Sequence, residues 1–200
     1  MVSVEEFRTK VRANELEALL DEVLLADEAL HVSVQNVLKI SSALSAKYAV
    51  ASNKIYVRVV GSAKLGFSMV EKRSTSGQVL PRYRPFSPLS DIDVVVISAE
   101  IFDFVWNDLS SHAHRSARLP WDSGVLGDYL VCGWLRPDHF PNAARLRRCD
   151  DWWDVFRLLS ADAAFGRRKV RGGLFHSLEH ARRYLMRALT DCARAEALGV

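Results

Sequence analysis

The sequence predicts an α/β or α+β fold on three observations. Apolar residues recur at helical spacing near both ends of the chain, in "FRTKVRANELEALLDEVLL" and "LEHARRYLMRALTDCARAEAL". Two short stretches between them, "IYVRVV" and "DIDVVVIS", have the length and β-branched content of strands. A helix-patterned stretch, "AEIFDFVWNDLSSHA", follows the second of these as a crossover connection does. Strands joined through helices pack as a sheet with helices on its faces.

Each element has a local reason. Ser3 ahead of Glu5 and Glu6 reads as a helix start, and Phe7, Val11, Leu19, Leu20, Val23 and Leu24 recur near helical spacing, so the first 30 residues are expected to be helical. "VSVQNVLKISSALSAKY" is a second helix, with Val34, Val37, Leu38 and Leu44 turned inward, and "SNK" ends it. In "IYVRVVG" side chains alternate with period 2, which puts Ile55, Val57 and Val59 on one face and Tyr56, Arg58 and Val60 on the other. "MVEKRSTSGQVLPRYRPFSPLS" holds too much Gly, Pro and Ser for a regular element and reads as a mobile basic loop. The helix after "DIDVVVIS" turns Ile101, Phe102, Val105, Trp106 and Leu109 inward.

"YLVCGWL" reads as a third strand and "RPDHFP" as a turn. "DDWWDVFRLLSADAAFG" is a helix with acidic residues at its start and a glycine at its end. "HSLEHARRYLMRALTDCARAEAL" is a helix capped by Ser177, with Leu178, Tyr184, Leu185 and Leu189 inward, and the "GG" ahead of it reads as a turn. The expected organisation is one domain over residues 1–200: N-terminal helices to 50, a core from 51 to 140 and a helical C-terminal part from 141.

Composition narrows the classes. Hydrophobic residues make up 49% of the chain, enough for a core, yet charge interrupts every apolar run too early for a membrane span. The acidic start lacks an apolar segment behind a basic flank, so the chain reads as cytoplasmic. Cys132, Cys149 and Cys192 are odd in number and widely spaced, which fits neither a disulfide framework nor a CxxC metal site. The net charge of +3 hides an asymmetry: residues 1–50 carry 5 basic and 8 acidic groups, residues 141–200 carry 12 and 7. Arg145, Arg147, Arg148, Arg167, Arg168, Lys169 and Arg171 offer a basic face to polyphosphate or nucleic acid.

The chemistry lies in "VVGSAKLGFS" and "SDIDVVVIS". At spacing i, i+2 on a strand, Asp91 and Asp93 point to the same face while Ile92 faces the core. Two carboxylates held side by side raise a pKa unless a cation neutralises them, and hard oxygen ligands suit Mg²⁺ or Mn²⁺, which keep positions open for phosphate oxygens. Gly61 after a strand admits close backbone approach, Ser62 supplies hydroxyl and N–H donors at the start of a short helix, and Lys64 adds a point charge. The spacing is not that of a Walker P-loop.

These residues resemble the signature of the DNA polymerase beta-like nucleotidyltransferase superfamily: an apolar strand, Gly-Ser, a spacer, then Asp-x-Asp opening a second apolar strand. The resemblance implies a small mixed sheet flanked by helices, with Gly61 and Ser62 binding the tail of a nucleoside triphosphate and Asp91 and Asp93 holding two metal ions. It implies Mg²⁺-dependent transfer of a nucleoside monophosphate to an acceptor hydroxyl, on a nucleic acid, a protein, a small molecule or another nucleotide. Two features depart from the family. The 28 residues between Ser62 and Asp91 are about twice the usual spacer, which points to an insertion such as "EKRSTSGQVLPRYR". The third family carboxylate, on a later strand, has no clear counterpart; Asp138 and Asp128 are its candidates. A non-catalytic module that binds nucleotide, RNA or a partner protein is the alternative.

"HSLEH" matches H-x-x-E-H, in which His176 and His180 would bind zinc, but the same residues also read as a turn feeding a Ser177-capped helix. Trp152, Trp153 and Phe156 read as core or interface, His112 and His114 as flanking a helix end, and Arg182, Arg183 and Arg187 as a solvated stripe.

Overall fold

A computed structural model describes residues 2–73, 77–141 and 144–199. Its centre is a four-stranded mixed sheet of β1 (Tyr56–Val60), β4 (Ile92–Ile97), β5 (Trp134–Leu135) and β6 (Val170–Phe175), in the order β1-β4-β6-β5. β1 pairs antiparallel with β4, β4 parallel with β6, and β5 antiparallel with β6. A two-stranded ribbon, β2 (Lys72–Arg73) and β3 (Val79–Leu80), stands apart. The helices are α1 (Val4–Arg12), α2 (Leu16–Ala18, continued by a π-helical turn over Leu19–Leu24), α3 (Val34–Tyr48), α4 (Gly61–Leu65), α5 (Ala99–Arg115), α6 (Ser123–Val131), α7 (Arg147–Ala161) and α8 (Leu178–Leu198). The mixed α+β class is as the sequence predicts, and no helix among the described residues is long and apolar enough to cross a membrane.

The two faces of the sheet have different roles. Val57, Val59, Ile92, Val94, Val96, Val170 and Leu174 face α3, α5 and α7, and pack with Leu44, Ile101, Val105, Trp152, Phe156 and Leu159 in the main core. On the other face Val95, Ile97 and Phe175 meet Ala181 of α8, which covers only part of it. The uncovered part carries the acid pair. Phe7, Val11, Leu19, Leu20 and Leu24 join Leu185 and Leu189 of α8 in a second cluster, so the N-terminal helices brace α8 from outside.

Serine caps start α1 and α8 as expected, with Glu6 N donating to Ser3 Oγ and His180 N to Ser177 Oγ, and Ser33 and Ser98 cap α3 and α5 in the same way. Several expectations fail. In α3 the buried residues are Ile40, Leu44 and Tyr48, while Val34 and Leu38 are about half exposed, at 53% and 51%. Trp106, Leu178 and Tyr184 likewise stay partly exposed, at 39%, 52% and 42%. The third strand is shorter than "YLVCGWL": Asp122 Oδ1 accepts from Gly124 N and Val125 N and starts α6, which takes Tyr129 to Val131 into a helix and leaves only Trp134 and Leu135 to pair.

The largest omission is β6, because Gly172 and Gly173 read locally as a turn. They are strand residues. A Cβ on Gly172 would lie 2.4 Å from Phe156 Cζ, and one on Gly173 would lie 2.9 Å from Trp134 Nε1, so both glycines are there to let aromatic rings onto the strand.

The 69–90 segment is tied to the body at its described ends. Tyr83 N donates to Ser68 O and Phe86 N to Gly66 O, both at 2.7 Å, while the Tyr83 ring packs edge-on against Phe7 and tilts against Phe67. Residues 74–76, the middle of the expected mobile loop, lie outside the described residues.

Candidate functional site

Register brings the two motifs together. Val60, the last residue of β1, is the Cα partner of Asp93, so Gly61 begins beside the acid pair. Gly61 has φ +65°, a left-handed conformation that costs other residues about 1 kcal/mol or more, and a Cβ there would lie 3.7 Å from Asp93 Oδ2. Gly61, Ser62 and Asp93 line a cavity of about 310 Å³ on the partly covered sheet face. Asp91 precedes β4 on the same side.

Of the rest of the wall, only Arg171 is among the basic residues that the sequence offers to polyphosphate. Lys72 and Arg84 reach the cavity from the 69–90 segment, Arg136 from the turn after β5, and Arg171 from β6. Trp134 and Tyr184 add an aromatic side, 5.0 Å apart between ring centroids. The signal for Lys72 and Arg84 was the basic character of the loop; Arg136 and Arg171 depend on pairing that no local pattern shows. Burial raises the Asp93 carboxyl above its usual range, Lys72 opposes the rise, Asp91 adds to it, and Arg171 and Arg136 oppose it.

Two expected members are elsewhere. Lys64 turns away from the cavity: its ammonium donates to Ala26 O and Glu28 O, and it lines a separate cavity with Glu22 and Leu65. Asp138 is held by Arg136, whose Nε and Nη2 donate to its two oxygens at 2.8 and 2.7 Å. Burial pushes the Asp138 carboxyl up, and the Arg136 pair outweighs it and keeps the group below its usual range. Asp138 is therefore engaged as a structural partner, and Asp128 is exposed on α6.

The later strand beside β4 carries Arg171 opposite Asp93, with Nη1 3.5 Å from Asp91 Oδ2. No group of three His, Cys, Asp or Glu side chains placed to hold a metal occurs among the described residues. The donor set suits one hard divalent ion, since Mg²⁺ keeps several waters and takes one or two carboxylates plus phosphate oxygens. It does not supply a third carboxylate for a second ion.

The rings of His176 and His180 lie 5.9 Å apart between centroids, but no third ligand joins them among the described residues. His176 also packs 5.3 Å edge-on from Phe102, His180 shares a 2.7 Å hydrogen bond with Ser177 Oγ, and Glu179 pairs with Arg183. Arg182 pairs with Glu17 and Asp21. Trp152 and Phe156 are core while Trp153 is largely exposed, and Cys149 and Cys192 are buried free thiols. Comparison of the chain with protein-family models, with curated proteins and with solved structures found no match.

Proposed function

We propose that the cleft binds a nucleoside triphosphate with one Mg²⁺ or Mn²⁺ ion and serves transfer of a nucleoside monophosphate to an acceptor hydroxyl. The observation that carries this reading is the meeting of Gly61-Ser62 with Asp91 and Asp93 at one end of the β1–β4 pair, beside a cavity lined by Lys72, Arg84, Arg136 and Arg171. Asp91 and Asp93 would hold the ion. When bound, such an ion neutralises phosphate charge and polarises the α-phosphorus. Gly61 lets the backbone approach the phosphates, Lys72, Arg84 and Arg171 offset their charge, and the Trp134–Tyr184 side suits a flat base. The acceptor hydroxyl gives up its proton to solvent, and its oxygen forms a bond to the α-phosphorus as the bond to pyrophosphate breaks.

Arg171 favours a second reading, in which the cleft binds nucleotide without turning it over, because a guanidinium stands where a further carboxylate would be needed.

Thermal stabilisation by each of the four NTPs, with and without Mg²⁺ or Mn²⁺, tests the first reading in wild type and in Asp91→Asn/Asp93→Asn. Stabilisation that the metal increases, with an increase that disappears in the double variant, supports it. No shift at millimolar nucleotide in folded protein rejects both readings. Product from α-labelled NTP separates them.

A further inference from the structure

Arg171 differs from the other arginines of the cavity in how little holds it. Arg136 is engaged twice by Asp138. Arg84 Nη1 donates to Val70 O, Leu80 O and Pro81 O. Arg171 makes one long contact, Nη1 to Asp91 Oδ2 at 3.5 Å, and its Nε is shut off from solvent with no partner. A buried N–H without an acceptor is destabilising. Such a group is tolerated where a ligand brings the acceptor, and the cavity it lines is of a size and charge for phosphate.

Position adds a second constraint. Asp93 and Arg171 are Cα partners in a parallel pair, so both side chains rise from the same sheet face, and Asp91 lies within reach of the guanidinium. A divalent ion on Asp91 and Asp93 would sit a few ångströms from that guanidinium. A divalent ion and a guanidinium held that close repel each other.

We infer that Arg171 is a resident cation of the metal site: it neutralises Asp91 in the empty cleft and moves to the phosphates when a metal–nucleotide complex enters. This rests on the nucleotide reading above. It makes Arg171 a positioning residue with two exclusive partners. Metal without nucleotide binds weakly, because it must displace Arg171 into empty space. Nucleotide without metal still binds, because Arg171 is already present as its counter-charge.

The test uses Mn²⁺ alone, followed by the electron paramagnetic resonance signal of free Mn²⁺, and a fluorescent ATP analogue in EDTA. Arg171→Ala should bind Mn²⁺ about tenfold more tightly than wild type and the analogue in EDTA about tenfold more weakly. Arg171→Lys keeps the charge and should keep Mn²⁺ affinity near wild type, which a merely structural role would not require. Adding Asp91→Asn to Arg171→Ala should abolish the gain. Equal Mn²⁺ affinity in folded wild type and Arg171→Ala, with nucleotide binding retained, overturns the inference alone. Tighter Mn²⁺ binding with no nucleotide binding in any condition overturns the nucleotide reading and the transfer to phosphate with it.

Discussion

Asp93 and Arg171 face each other across the parallel pair β4–β6, an acid and a base on one sheet face with Asp91 Oδ2 3.5 Å from the guanidinium. Arg171 thus opposes the charge of the acid pair. Arg171→Asp would convert this to three clustered carboxylates. Without metal the variant should melt several degrees below wild type, since like charges crowd a partly buried site. Saturating Mn²⁺ should restore the loss, and its affinity should exceed that of Arg171→Ala by about tenfold, as ligand charge count predicts. Calorimetric melts with and without Mn²⁺ check both, and a variant insensitive to Mn²⁺ would show that position 171 does not reach the pair.

Gly61→Ala places a Cβ at φ +65°, 3.7 Å from Asp93 Oδ2. The space is adequate, so the cost is conformational, about 1–2 kcal/mol. Gly61→Val, β-branched, should cost more and lower nucleotide affinity further. Urea unfolding beside nucleotide titration separates the two effects; an unchanged midpoint in Gly61→Ala would mean that the turn relaxes.

The strands that carry Gly61 and Asp93 were legible because their reasons are local: β-branched alternation in "IYVRVV" and a polar pair opening "DIDVVVIS". β6 was hidden because its two glycines answer to Phe156, Trp152 and Trp134, residues remote in sequence. Arg171 was hidden with it and appeared only as one more basic residue. Lys64 failed for a related reason, since its ammonium is taken up by Ala26 O and Glu28 O, carbonyls remote in sequence.

Gly172→Ala should therefore destabilise by about 1–3 kcal/mol through overpacking, with its Cβ 2.4 Å from Phe156 Cζ and 2.8 Å from Trp152 Cζ2. Phe156→Leu in the same chain should recover part of the loss, although alone it leaves a void. Additive effects in that double-mutant cycle would place the glycine's importance in its backbone instead.

Glu196 joins α8 to α1, accepting from Arg8 Nε at 3.0 Å and Arg12 Nε at 2.9 Å. Burial would raise its carboxyl, and the hydrogen bonds from Tyr83, Arg8 and Arg12 more than reverse this, leaving it below its ordinary value of 4.5. A folded pKa below the unfolded one adds stability that is present above the unfolded pKa and lost as pH falls through the folded one. Glu196→Gln should cost about 1 kcal/mol at pH 7, limited by the solvent around the arginines. The difference from wild type should begin to narrow as pH falls below 4.5 and close as pH falls through the lowered folded value, which denaturant titrations across pH would show.

Lys64 gives the last separation between structure and site. Its side chain is buried, and its ammonium donates to Ala26 O and Glu28 O. Burial, with Arg58 nearby, lowers its pKa from 10.5 to about 8, while the two carbonyls favour the charged form. Between those values the unfolded chain holds a proton that the folded chain has lost, so wild-type stability should rise with pH across that window, a slope that Lys64→Met removes. At pH 7 Lys64→Met leaves two carbonyls without their donor and removes the buried charge, so the two effects on stability oppose each other. Nucleotide affinity should change less than about twofold, since the residue lines the other cavity. A tenfold loss of affinity at unchanged stability would instead return Lys64 to the phosphates.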